Sequence, residues 1–358
     1  MPFEQYIEKY ILEPLEMNHS TFLQPLPANL QSDMAIGYSY DGKRYMAHDF
    51  EWKQSAPAGA MSATATDMAK FMIAMLNKGS YKDKRILQES TVEEMQKESF
   101  TNDSRVNGIA HGFMEADFNG QRCLFHNGDI FQFHTSHVLL PQQNAGIYVA
   151  FNGAQGMWAV NDMIVAFMDY YYPTKKDRQT ASGNLSQDVS KYEGTYMPLR
   201  HEYTTMGKLV GLTQSITVKQ TGSNRIKVSL GFPAQLSAYY VQTDTDRFRS
   251  EDFPPLIYGD IVFGTDSKAN ALYQFQENNP TTAYIKLPWY GEPWFTVSIL
   301  VSSMILFIII LISMPVRIWR NLRIKRKSTP MERRAVFTSW LLSILSLANN
   351  YHRSNRIC

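Results

Sequence analysis

A run of 20 residues without a single charge, Phe295–Met314, constrains this chain more than any other stretch. As a helix it extends about 30 Å, the depth of a bilayer's hydrocarbon core. Trp289, Tyr290 and Trp294 stand at its start, where amphipathic rings anchor a span at headgroup level. Arg317, Arg320, Arg323, Lys325, Arg326, Lys327, Arg333 and Arg334 follow it. Cationic loops stay on the cytoplasmic side, so this pattern predicts a transmembrane helix over 295–314 and a basic cytoplasmic loop over 315–334. The larger N-terminal part is then expected outside. A buried core helix would explain the length but not the aromatic belt and the basic cluster together. Residues 335–348 open a second apolar run that is too short to span, and 349–358 form a polar tail, so the second span reads as cut off.

The other residues must build water-soluble domains. With 358 residues, 44% hydrophobic and 19% charged, the chain can bury the cores of two of them. The formal net charge of +2 leaves no electrostatic footprint for nucleic acid, so no such partner is expected. Cys123 and Cys358 are the only cysteines, which excludes a disulfide framework or a cysteine zinc site. No metal and no cofactor are expected. The N-terminus is acidic and amphipathic and lacks the basic and apolar regions of a signal peptide. Phe3, Tyr6, Ile7, Tyr10 and Ile11 fall on one face of a helix predicted over 3–16. A buried face so early leads us to expect that the chain starts inside a domain.

Residues 17–55 read as irregular. Thr64 with Asp67 three positions on resembles a capping box, and Met68, Phe71, Met72 and Met75 form the core stripe of a helix that Lys78-Gly79 closes. A short polar helix is expected over Gln88–Lys97. Loose alternation over Gly108–Asp117, the Asn119-Gly120 turn and the apolar runs Phe133–Leu140 and Ala145–Phe151 predict an antiparallel sheet. Val160, Ile164, Phe167 and Met168 mark the buried side of a helix over Met157–Tyr172. A polar linker is expected over 174–190. From 191 to 288 the period falls to two, with strands predicted at Ser215–Lys219, Arg225–Leu230, Ser237–Gln242, Ile261–Phe263, Leu272–Phe275 and Thr282–Lys286. That is a small all-β barrel or sandwich. It contains His201 and many tyrosines but no group of carboxylates or histidines with catalytic or metal-ligand spacing.

Inside the predicted sheet lies Phe125-His126-Asn127-Gly128-Asp129. A histidine followed by a glycine on one strand lets a substrate backbone lie against the sheet while the imidazole offers a hydrogen bond or a charge. His-x-Gly alone recurs often by accident, as a surface histidine before a turn glycine. Its neighbours decide the matter.

Three segments together resemble the serine beta-lactamase-related family, which includes class C beta-lactamases, D-alanyl-D-alanine peptidases and related esterases. They are Phe3-Glu4-Gln5-Tyr6-Ile7 with Ile11–Met17, the Pro57-Ala58-Gly59 loop with Ser62–Phe71, and Phe125–Gly128 with Leu139–Asn144. The β region and the span after it resemble the C-terminal part of membrane-anchored bacterial members. The resemblance implies an α+β fold. An incomplete beta-lactamase or penicillin-binding-protein-like domain, an antiparallel sheet packed by helices, would fill 1–173. The small all-β domain (191–288) and the transmembrane helix would follow. It implies acyl transfer through a serine ester on a peptidoglycan peptide, a beta-lactam or a small ester, at a bacterial cell membrane with the main domains extracytoplasmic. His126 would be the catalytic residue of the family's third motif, with Asn127 and Gly128 as substrate-binding residues.

The family's nucleophile belongs to Ser-x-x-Lys and its second proton carrier to Tyr-x-Asn or Ser-x-Asn. No serine in this chain has lysine three positions on, and Tyr-x-Asn is absent. Ser182-Gly183-Asn184 matches the pattern only by chance, inside the linker and after the third motif. The chain is therefore expected to match the C-terminal portion of such an enzyme and to be inactive alone. Phe131 and Gln132 are expected to crowd the cleft. The competing reading is a membrane-tethered, non-catalytic module that binds cell wall or protein.

Overall fold

The computed structural model describes residues 1–54, 56–174, 188–204, 207–231, 236–251, 259–267 and 270–323, with positions 329, 331, 337, 338 and 341. The chain divides into two units, Met1–Lys286 and Leu287–Cys358.

The first unit begins with helix α1 (Phe3–Ile7), which passes into one turn of π-helix over Glu8–Leu12. The wider turn shows in the bonds from Glu13 N–H to the Glu8 carbonyl and from Met17 N–H to the Leu12 carbonyl, both 2.9 Å. It turns the apolar face. Leu12, Leu15 and Met17 enter the core, whereas Tyr6 and Tyr10 remain exposed, their rings in tilted contact at 4.7 Å. The predicted helix over 3–16 is thus shorter, and its aromatic face is not buried. Segment 17–55, expected to be irregular, contains a hairpin of β1 (Gly37–Tyr40) and β2 (Tyr45–His48). Asp41 makes the turn by accepting from the N–H groups of Lys43 and Arg44.

Helix α2 (Ala65–Leu76) is capped by Thr64, whose hydroxyl accepts from Asp67 N–H at 3.2 Å. The reciprocal half of a capping box does not form. Asp67 is buried and instead accepts from His19 N–H at 2.8 Å, the Ser20 hydroxyl at 3.0 Å and Lys70 Nζ at 2.8 Å. Lys78 and Gly79 end the helix with positive φ, and a Cβ at Gly79 would lie 2.2 Å from the Leu87 carbonyl oxygen. Hairpin β3 (Ser80–Tyr81) and β4 (Lys84–Arg85) leads to α3 (Glu89–Met95).

The sheet that follows is antiparallel in sequence order: β5 (Met114–Phe118), β6 (Gln121–Asp129), β7 (His134–Leu140) and β8 (Ala145–Phe151). Its two faces are covered by different helices. Leu124 and Leu139 pack against Met72 and Met75 of α2. Phe125, Val138 and Leu140 pack against Ile164 and Met168 of α4 (Gly156–Tyr171). The alternation of β6 therefore sends Leu124, His126 and Gly128 to the α2 side.

The all-β region is a closed eight-stranded barrel. Its strands are β9 (Gly194–Pro198), β10 (Ile216–Gln220), β11 (Arg225–Leu230), β12 (Leu236–Asp244), β13 (Arg247–Ser250), β14 (Ile261–Thr265), β15 (Ala271–Gln276) and β16 (Ala283–Lys286). β16 closes on β9, and a short helix α5 (Lys208–Thr213) lies between β9 and β10. Tyr192, Tyr196, Tyr240, Phe248 and Phe263 fill the interior, and Val189 already belongs to this core. Loop 101–107 fastens the barrel to the preceding part. Arg105 donates to the carbonyls of Phe263 (3.1 Å) and Thr245 (3.4 Å), Arg247 donates to the Arg105 carbonyl (3.1 Å), and Val106 packs on Val262 and Phe275.

In the second unit, helix α6 (Pro293–Arg323) contains an apolar stretch, Pro293–Ser313, of mean hydropathy 2.8. Most of its large apolar side chains, Leu306 and Ile312 among them, are exposed. Residues 175–187, most of the expected basic loop and second apolar run, and the tail 349–358 lie outside the described residues, as does Ser182-Gly183-Asn184.

Candidate active site

Strand register brings the site together. His126 is paired with His137 across β6 and β7, and His137 with Tyr148 across β7 and β8. One step along, Gly128 faces Thr135 and Thr135 faces Ala150. These residues line the wall of a cleft of about 1020 Å³. The Pro57–Gly59 loop, Ser62–Thr64, Met68 of α2 and His48 of β2 line it as well. Two of the three segments that carried the family resemblance thus meet at one cavity.

His126 is exposed to the cleft, and its Nδ1 donates to the Asn127 carbonyl at 2.7 Å. A carbonyl only accepts, so the bond places a proton on Nδ1, and in the neutral ring the Nε2 lone pair is the one left to accept a proton or a hydrogen bond. Gly128 keeps the strand low. A Cβ there would stand 2.6 Å from Thr135 Oγ1. Asn127 lines the cleft too, but alternation turns its side chain away from the His126–Gly128 face, and its carbonyl is the group used by His126.

Behind His126 the environment is drier. His137 stacks on His126 with ring centres 6.3 Å apart and interplanar angle 13°, and meets the edges of Phe71 and Phe113. Burial, with a smaller contribution from His126, pushes the His137 imidazole down to about 4. Its Nε2 is buried without a partner among the described residues. Burial also raises the Tyr148 hydroxyl, and a hydrogen bond with Thr135 offsets this only in part. At the end of β6, His134 Nδ1 donates to Asp129 Oδ1 at 2.7 Å.

The chain pattern singled out His126, Asn127 and Gly128 but not Thr135, His137 or Tyr148. The signal was the four-residue connection 130–133, which sets the β6–β7 register. Phe131 and Gln132, expected to crowd the cleft, do not line it. Phe131 is 77% exposed, and Gln132 packs over Gly37, where a Cβ would lie 2.6 Å from Gln132 Cβ. The absence of a side chain on β1 draws Gln132 aside. Among the described residues no group of three or more His, Cys, Asp or Glu is placed to hold a metal ion.

Comparison with known proteins agrees with this geometry. Residues 1–166 match the model of the Beta-lactamase family. Protein flp of Staphylococcus aureus strain MW2 is 30% identical over 152 residues, which are 42% of this chain and 29% of the relative. Protein flp of strain N315 is 28% identical over 151 residues, with the same shares. The chain thus spans less than a third of the length of the curated relatives it matches. Among solved structures, SurE superposes with a TM-score of 0.52 at 15% identity, covering 80% of this chain and 64% of that one. The octameric penicillin-binding protein homologue from Pyrococcus abyssi gives 0.42 at 20% identity, covering 80% and 60%. The likeness to SurE is one of fold, and it extends past residue 166 into the barrel. The sheet with its two covering helices, the His126–Gly128 wall and the family match converge on one segment: residues 1–166 of this chain are similar to a beta-lactamase family domain.

Proposed function

We propose that this chain supplies one wall of an acyl-transfer site of the serine hydrolase type and carries no nucleophile of its own. The observation that supports this most is the presentation of His126 and Gly128 together on the cleft face of β6 within a beta-lactamase-family segment. In this reading the chain binds the carbonyl-bearing substrate, a peptidoglycan peptide, a beta-lactam or a small ester, along the β6 edge at Gly128. His126 Nε2 accepts or relays a proton. Attack on the carbonyl needs an activated serine, and the sequence offers no Ser-x-x-Lys for it. The chain alone is therefore catalytically silent. The apolar stretch Pro293–Ser313 tethers it to a bacterial membrane with residues 1–286 extracytoplasmic.

Incubation of the full chain in detergent with a chromogenic cephalosporin and an activated ester tests this. We expect neither an initial burst nor an acyl adduct in the intact mass. A stoichiometric burst, or an adduct on any serine, would overturn the reading. A second reading, a non-catalytic cell-wall-binding module, draws on the closed barrel with its complete aromatic core. Its test is co-sedimentation of the full chain with purified peptidoglycan, and no retention above a control protein would exclude it.

A further inference from the structure

The barrel has a mouth with a chemistry of its own. At the end where β9 and β11 finish and β16 begins, a cavity of about 550 Å³ opens. Pro198 and Leu230 supply apolar wall, and Thr213, Gln214, Thr282 and Tyr284 supply neutral polar groups. Arg200 is the one charged side chain on this lining. It is exposed, and no hydrogen bond or ion pair joins it to another described residue. Deeper in the barrel, Gln274 lies beside Tyr284 in the β15–β16 register and points to the interior side. It is fully buried, and both of its side-chain amide atoms lack partners among the described residues. The cavity and Arg200, not this amide, carry the proposal, since Gln274 lies behind Tyr284 and does not line the mouth.

We propose that this mouth binds a small carboxylate with an apolar body. The carboxylate pairs with the planar guanidinium of Arg200, which suits two parallel N–H···O bonds. The body lies against Pro198, Leu230 and the Tyr284 ring. A single cation among neutral polar groups matches a monoanion better than a phosphate, whose second charge would find no partner on this lining. Barrel mouths are common ligand sites because their rim loops converge on a preformed concavity. The site is separate from the β6 cleft: the two linings share no residue. The proposal therefore stands whether or not the acyl-transfer reading does.

Two sources offer this chemistry, a peptide C-terminus and a free organic acid. Saturation-transfer NMR and calorimetry on the full chain in nanodiscs, with N-acetylleucine and with hexanoate as probes, separate them. Binding of one probe names that source, and binding of both leaves the carboxylate with its apolar body as the recognised unit. N-acetylleucinamide, neutral and nearly the same shape, is expected to bind at least about tenfold more weakly. Arg200→Gln is expected to weaken carboxylate binding by a similar factor with an unchanged melting temperature, because no described residue bonds to that side chain. Arg200→Lys is expected to restore part of the loss. Failure of both probes to bind at about 10 mM, or binding that ignores the amide exchange and Arg200→Gln, would overturn the proposal.

Discussion

Two histidines face each other across β6 and β7, and burial gives them different roles. His126 opens on the cleft, while His137 is pressed between His126, Phe71 and Phe113. The native His137 titrates near 4 against an ordinary value of 6.5, so between those values the unfolded chain binds more protons than the folded one. Stability from this group is complete above pH 6.5 and is lost as pH falls to about 4. The full loss is about 3 kcal/mol. His137→Phe should flatten that part of a denaturation-versus-pH curve, because a neutral ring of similar size replaces one that must charge. An unchanged slope between pH 6.5 and 4 would locate the titration elsewhere. Cys123 offers a second check at this scale. It is wholly buried, and desolvation pushes its thiol up to about 12. In a Cys358→Ser background, a disulfide-exchange reagent should find no reactive thiol until denaturant is added. Gly128 offers a third. Gly128→Ala would force Thr135 from its rotamer, costing about 1 kcal/mol in a melt. The added methyl would stand on the cleft floor and should abolish any binding of a D-alanyl-D-alanine peptide measured there.

At the scale of elements, two junctions within residues 1–286 depend on charged groups with backbone partners. Asp67 ties the start of α2 to segment 17–20. Burial raises its carboxyl, and the Lys70 ammonium, the His19 N–H and the Ser20 hydroxyl outweigh that and hold it below the ordinary value. Asp67→Ala leaves the His19 N–H and the Ser20 hydroxyl without this acceptor, while Lys70 keeps the Glu16 carbonyl, and should cost about 1–3 kcal/mol in chemical denaturation. Arg105 fastens the barrel through two carbonyls of its strands and turns. Arg105→Ala should cost about 1–3 kcal/mol and expose loop 101–107 to limited proteolysis. Long amphipathic elements such as α2 and α4 were legible in the sequence because each buries a face at helical period. So were six barrel strands, which alternate over several residues. The β1–β2 hairpin escaped notice although Asp41-Gly42 is a turn signal, because its strands are only four residues each and mostly solvent-facing. β13 was hidden because Phe248 is its one apolar residue, between Arg247 and Arg249. β9 was hidden by a glycine at its start and a proline at its end. The π-turn after α1 could not be foreseen from a 3.6 period, and beyond it Leu12 and Leu15 are buried while Tyr6 and Tyr10 are exposed. At the site, the His126–Gly128 pair was visible as a motif, whereas His137 and Tyr148 come from pairing register, which a linear pattern does not display.

For the whole molecule, the boundary at Lys286 separates two kinds of solvent requirement. Up to that point apolar side chains are spent on closed cores: the α2 and α4 faces of the sheet, and a barrel whose last strand pairs back with β9 and whose Lys286 ammonium donates to the Lys191 carbonyl. Beyond it, the Pro293–Ser313 stretch leaves Leu306, Ile309 and Ile312 each more than half exposed. Exposing that much aliphatic surface to water costs about 25 cal/mol for each Å², so a helix of this composition needs lipid or a large apolar partner. The two requirements should come apart in one experiment. A chain ended after Lys286 retains every strand of the barrel and every contact of loop 101–107, so it should remain folded and enter the aqueous phase when a detergent solution is warmed to phase separation. The full chain should enter the detergent phase and resist extraction from bacterial membranes by alkaline carbonate. If the full chain also stays in the aqueous phase, the helix is covered by protein rather than lipid, and the membrane tether is wrong while the fold of residues 1–286 stands. If the shortened chain aggregates, then surface within those residues, the exposed Tyr6–Tyr10 face being the first candidate, requires a partner that this chain does not itself provide.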